Sequence, residues 1–265
     1  MKNIKVYAVI VCLAITALVL AAFINKNKVK PAIITSEQGF AVVELFTSEG
    51  CSSCPPADEL LARVQNENTG KSVYILAYHV DYWNRLGWKD IFSSADFSKR
   101  QSTYAKWLKL SGVYTPQAIV NGRTEFVGSA QGTLRNAIRT NLAKASKTQI
   151  SLAGLTATKD KATLKYSTED AAANTALILA LVQKNATSAV KSGENSGRTL
   201  SHIQIVNKLQ SIPLGNNKTG EASIALPDNF SAQGWEVIGF VQNMQTGDIS
   251  AATRAAFPQT VTANN

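Results

Sequence analysis

The segment FAVVELFTSEGCSSCPPADELLARV, residues 40–64, limits the possible folds more than any other part of the chain. Its first eight residues are almost wholly apolar and rich in β-formers. A strand without polar alternation is buried on both faces, as in a parallel sheet. Ser, Gly and a proline pair then mark a turn, and Leu60, Leu61 and Val64 give one apolar helical face. Pro55 and Pro56 fit the first turn of that helix, where a missing N–H does no harm. Cys51-Ser52-Ser53-Cys54 therefore lies between a buried strand and a helix start. The free N–H groups and the dipole of that helix favour a thiolate over a thiol. The two-residue spacer lets the second sulfur reach the first, so Cys51 is the expected attacking thiolate and Cys54 the resolving one.

A plain stabilising disulfide is the competing reading. Closing so short a loop removes little unfolded-state entropy, which makes it a poor staple. The only other cysteine is Cys12, and the only histidines are His79 and His202. That count excludes a disulfide-stapled mini-protein, a four-cysteine zinc site and a three-histidine centre.

The remaining pattern predicts β-α-β-α-β-β-α over residues 40–145. SVYILAYHVD is a second buried strand, and an aromatic-rich loop follows it. Phe97, Gln101, Tyr104 and Leu108 fall on one helix face, QAIVNG and TEFVG form a hairpin through an Asn-Gly turn, and a helix starts at Gln131. Residues 146–265 read differently. ISLAGLTAT, KATLKYSTE, TALILALVQK, HIQIVNKLQSI, EASIALPD and WEVIGFVQN are strand-like, with turns between them. They predict an antiparallel, sandwich-like β-rich domain.

Residues 1–30 read as a signal peptide or an N-terminal membrane anchor, and 31–39 as a linker. Lys2 and Lys5 precede nineteen uncharged residues, Val6 to Ile24. The segment implies export, to the periplasm or to the inner membrane facing it, where a cysteine pair can oxidise. It also holds five of the 27 basic residues and no acid, leaving 22 basic against 18 acidic groups elsewhere. With no basic helix and no aromatic-basic ladder, no nucleic-acid partner is expected. No GxGxxG or GxxxxGK occurs, so no organic cofactor is implied.

The cysteine pair after the strand, together with Tyr114-Thr115-Pro116 before QAIVNG, resembles the thioredoxin-like superfamily. VELFTSEGCSSCPPADELL, HVDYWNRLGWKD, RQSTYAKWL, YTPQAIVNG and GENSGRTLSH are similar to a more specific group, the bacterial secreted family known as domain of unknown function 1223. The resemblance implies a thioredoxin-like domain with an appended β-rich part. It also implies a cis Thr115–Pro116 bond facing the cysteines and aligning a substrate chain. Glu44 is the nearest match to the proton-handling carboxylate of thioredoxins, and would take the Cys54 proton if buried; the alternative is a strand residue paired with a neighbouring base. Gly50 stands where thioredoxins carry Trp, Ser52-Ser53 replaces Gly-Pro, and Pro55 replaces a basic residue.

Strand ends of an α/β sheet collect functional groups, which draws in His79, Asp81 and Trp83. His79 is a partner of the thiolate, a metal ligand or a core histidine. Arg198 either binds a carboxylate in a fork or locks the domain interface, to Glu194 or to an acid of the first domain, and His202 closes the same polar loop. The expected function is thiol–disulfide exchange on an envelope protein, with a redox partner protein to reset the pair. Two alternatives stand beside it. Cys51, Cys54 and His79 could bind and deliver copper, or the pair could be structural in a non-catalytic binding protein.

Overall fold

The computed structural model describes residues 39–216 and 218–258. The expected leader, linker and Cys12 lie outside them, apart from Gly39. Among the described residues no helix is long and apolar enough to cross a membrane.

β1 (Ala41–Thr47) leads through the cysteine loop into α1 (Pro55–Glu67), then β2 (Val73–His79), α2 (Ala95–Trp107), β3 (Gln117–Val120), β4 (Thr124–Val127) and α3 (Gln131–Leu142). β1 pairs in parallel with β2 and antiparallel with β3, which pairs antiparallel with β4. The strand order β2-β1-β3-β4 is that of a thioredoxin-like domain, as the sequence implied. Every residue of β1 is buried because both of its faces are covered. Ala41, Val43 and Leu45 pack under α1 and α3, with Leu60, Leu61, Val64 and Leu134. Val42 and Phe46 face the other way, toward Phe97 and Tyr104 of α2.

The later strands are β5 (Gln149–Ala157), β6 (Lys161–Glu169), β7 (Thr175–Ala189), β8 (Thr199–Pro213), β9 (Thr219–Ala225), β10 (Trp235–Asn243) and β11 (Ile249–Ala256). Four of them continue the first sheet, in the order β11-β10-β7-β8-β2-β1-β3-β4. The join is a short parallel pairing of β2 with β8 at Ala77 and Ile205. The separation into 40–145 and 146–265 is therefore a division of the sequence and not of the sheet. β7 alternates as a doubly covered strand must. Ile178, Ala180 and Val182 extend the α2-side core, while Leu177, Leu179 and Leu181 pack against the three-stranded antiparallel sheet β5-β6-β9. That second packing is the sandwich-like part.

The β3–β4 hairpin turns at Asn121-Gly122, both with positive φ (49° and 69°). A Cβ on Gly122 would lie 1.9 Å from the Gly247 carbonyl oxygen. Gly122→Ala is expected to cost about 1–3 kcal/mol, from a left-handed backbone and a forced shift together. Urea denaturation checks this; a loss under about 0.5 kcal/mol would show that the approach relaxes freely.

Candidate redox site

β1 delivers the chain to Ser48-Glu49-Gly50, a tight turn in which the Cys51 N–H donates to the Ser48 carbonyl (3.2 Å). Cys54 is the residue before α1, and its carbonyl accepts the N–H groups of Ala57 (2.9 Å) and Asp58 (3.2 Å). Cys51 and Cys54 form a disulfide with Cα atoms 5.4 Å apart. Both cysteines are buried, while Ser52 and Ser53 are exposed. Thr115–Pro116 is cis, and the Thr115 carbonyl lies 3.8 Å from Cys51 Sγ. Trp83 Nε1–H donates to Thr115 Oγ1 (2.8 Å). The same Trp83 explains Gly50: a Cβ there would meet the Trp83 Cβ at 3.1 Å. A side chain at position 50 would make this loop give by a few tenths of an ångström.

Beneath the pair lies a buried cluster of five ionisable groups. Asp58, on α1 one turn after Cys54, accepts from Thr47 Oγ1–H (3.2 Å). His202 of β8 sits between two acids, 3.4 Å from Glu49 Oε1 and 3.8 Å from Asp58 Oδ2. Its ring stands edge-on to His79, with centroids 4.8 Å apart. His79 Nδ1 is 2.7 Å from Asp90 Oδ2, which also accepts the Glu49 N–H (2.9 Å). Trp88 Nε1–H donates to Glu49 Oε2 (2.6 Å). Among the described residues, His79 Nε2, both nitrogens of His202 and Glu49 Oε1 have no hydrogen-bond partner.

Burial raises the Asp58 carboxyl to about 6, against the pull of His202, His79 and Thr47. Burial works against a charged His79, but Asp90 beside it wins and raises the imidazole above its ordinary value. Asp90 is held low in return: burial is outweighed by His79 and by the N–H groups of Glu49 and Phe92.

The β7–β8 connection lies against the cysteine loop. Asn195, buried, donates from Nδ2 to the carbonyls of Glu49 and Cys51, both at 2.9 Å. Arg198 Nη1–H donates to Asn195 Oδ1 (2.9 Å), and the Ser52 N–H donates to Glu194 Oε2 (2.9 Å). A cleft of about 190 Å³ beside α1 is lined by Pro55, Asp58, Glu59, Arg198, Thr199, Leu200 and Ser201, so Asp58 borders solvent there.

Of the expected site residues, Cys51, Cys54, Thr115, Pro116 and Trp83 lie together. His79 and His202 lie behind them, and Arg198 reaches the cysteine loop through Asn195. Glu44 is a correction. It is buried, but it points to the α2 face of β1, where Arg100 Nε–H donates to Oε1 (2.7 Å) and the Tyr104 hydroxyl donates to Oε2. A carboxylate held by a guanidinium on the face opposite α1 has no route to the Cys54 proton. Asp81 is tied to the Ser98 hydroxyl on α2. Of the copper set, the two sulfurs are bonded to each other in this oxidised form, and among the described residues no three His, Cys, Asp or Glu are arranged to hold a metal. Asp58, Glu49 and Asn195 escaped the reading, and Glu194, a candidate partner of Arg198, accepts from the Ser52 N–H instead. An acid in a first helical turn looks like ordinary dipole complementation until its burial is known.

The family model described as "Protein of unknown function (DUF1223)" matches residues 42–242. The chain belongs to the DUF1223 family. A crystal structure of an Agrobacterium tumefaciens protein, a structural-genomics target, is similar to this DUF1223 chain. It is 28 % identical with a TM-score of 0.61, over 85 % of this chain and 97 % of that one. A β-glucosidase from Kluyveromyces marxianus matches at 13 % identity and a TM-score of 0.22, over 47 % of this chain and 16 % of that one, which carries no argument. No curated protein is similar to the chain. This DUF1223 chain thus holds a CxxC disulfide at the helix start of a thioredoxin-like fold, the arrangement of a thiol–disulfide redox site.

Proposed function

We propose that the protein carries out thiol–disulfide exchange on proteins of an oxidising envelope compartment, with a dithiol–disulfide partner protein to reset it. The observation that carries this reading is the Cys51–Cys54 pair at the start of α1, with Cys51 Sγ 3.8 Å from the carbonyl of Thr115 before cis-Pro116. In the donating direction, Cys51 thiolate attacks a substrate disulfide and one substrate thiolate leaves. Cys54 then loses its proton, and its thiolate attacks Cys51 Sγ. The protein disulfide forms and the second substrate thiolate leaves, so two electrons pass to the substrate. Asp58, one turn along the same helix and raised to about 6, is the group we assign to accept that proton. The opposite direction uses the same steps reversed.

The burial of both cysteines favours a second reading, a structural disulfide. Reduction potential and trapping separate the two. Exchange predicts a potential between about −270 and −120 mV. It also predicts that Cys54→Ser accumulates mixed disulfides with envelope proteins, whereas Cys51→Ser accumulates none. A potential below about −300 mV with no trapped species would make the pair structural.

A further inference from the structure

We propose that the β7–β8 loop is part of the redox site, and that Glu194, held on the Ser52 N–H, biases the Cys51–Cys54 couple toward the disulfide, making the reduced protein an electron donor. This deepens the exchange reading and rests on it.

The loop is anchored on both sides of the carboxylate. Asn195 grips the carbonyls of Glu49 and Cys51 and is itself held by Arg198. Ser192 Oγ donates to the Gly87 carbonyl. Gly193, with φ of 79°, lies against Trp88, where a Cβ would come within 3.3 Å of the Trp88 Cβ. Glu194 is exposed and meets the cysteine loop at Ser52, the residue next to Cys51, through its N–H and its side chain.

That contact acts differently on the two redox states. The disulfide carries no charge. The reduced pair carries one whenever Cys51 ionises, and free N–H groups at a helix start are what stabilise such a thiolate. In this protein one nearby N–H is already committed to a carboxylate, and that carboxylate places a like charge beside the nascent thiolate. Both effects penalise the reduced form alone. A dithiol whose thiolate is stabilised makes an oxidant, so a penalised thiolate makes a donor. In the donating step, Cys51 and Cys54 lose two electrons to form their disulfide. The substrate disulfide gains them and takes up two protons to leave as a dithiol, and a dithiol partner protein restores the pair.

The test is Glu194→Gln in the full chain, which keeps the side-chain shape and an oxygen acceptor for Ser52 while removing the charge. Equilibration in glutathione and in dithiothreitol buffers gives the dithiol fraction without any substrate protein. Thiolate absorbance against pH follows Cys51 in the reduced form. The expected result is a shift of about three- to tenfold toward dithiol, or about 14–30 mV upward at 29.6 mV per decade, together with thiolate appearing at lower pH. A merely structural role for Glu194 would leave the thiolate titration where it was. Unchanged equilibrium and titration, or a shift toward disulfide, would overturn the proposal. Because no substrate is used, failure here is distinct from failure of the exchange reading, which the trapping of mixed disulfides decides.

Discussion

Arg100→Met is expected to destabilise the protein by about 3–5 kcal/mol, the usual cost of leaving a buried charge without its partner. Arg100 is nearly buried between Glu44 of β1 and Gln242 of β10, donating to Glu44 Oε1 and, at 3.1 Å, to Gln242 Oε1 and the Tyr104 hydroxyl. Its guanidinium lies 5.0 Å from the Tyr104 ring centroid and 5.5 Å from those of Tyr78 and Phe240. Burial opposes its charge, but Glu44 and the two tyrosines outweigh that and raise its pKa further. The site therefore fastens α2 to strands from both parts of the sequence. Met retains much of the apolar stem, so the loss reports the unpaired Glu44 more than a cavity. The double variant Glu44→Gln/Arg100→Met is expected to recover part of that loss, because no buried charge remains. Urea denaturation of the wild type, both single variants and the double variant measures this. A cost under about 1 kcal/mol for Arg100→Met would mean that water reaches Glu44 freely.

Glu44 also shows where reading the sequence stopped. Strand periodicity places residues 42, 44 and 46 on one face, but every position of β1 is buried, so no polar residue marks which face meets which helix. Only the tertiary arrangement puts Glu44 beside α2 and Thr47 beside Asp58. The strand, cysteine loop and helix start were legible because each is set by residues within one short stretch. The cis-proline was legible through the resemblance. The contacts that define the back of the site were not, since Ser52 meets Glu194 and Cys51 meets Asn195 across 142 and 144 residues. No local propensity encodes a contact of that range. The polar loop GENSGRTLSH stood out by composition, but its place against the cysteines follows from β8 joining β2.

β11 gives little sequence signal for a different reason. ISAATRAA alternates between buried and more exposed positions, but its small and polar residues give a weak β signal. Its place comes from pairing with β10 at the sheet edge. The strands that were read correctly carry Val, Ile, Leu or aromatic residues in runs long enough to need cover on at least one face.

Asp58→Asn is expected to make the protein more stable at pH 7.5, by at most about 3 kcal/mol, and to give no gain at pH 4. The sign follows from the direction of the shift. Burial raises the folded-state carboxyl from 3.8 to about 6, so between those values the native state holds a proton that the unfolded chain has released. Stability falls as pH rises through that window, because the native protein must ionise a buried acid. Asn does not ionise, and its carbonyl oxygen can still accept from Thr47. The neighbours titrate too, but they are common to both proteins. His79, raised, adds stability that is present below about 6.5 and is lost as pH rises through its folded value. Asp90, lowered, adds stability that is lost only as pH falls through its own folded value, below 3.8. The difference between wild type and variant therefore reports Asp58 together with its coupling to His79, His202 and Asp90, and that lost attraction to the histidines is why the gain is an upper bound. Urea midpoints at pH 4 and 7.5, taken on the oxidised protein, give that difference. An equal change at both pH values would show that Asp58 titrates as an ordinary carboxyl, solvated through the cleft beside Arg198. It would then have no proton affinity matched to Cys54. A gain confined to pH 7.5 would show that the fold maintains a buried acid of raised pKa one turn from the resolving cysteine, which is the condition its proposed role in exchange requires.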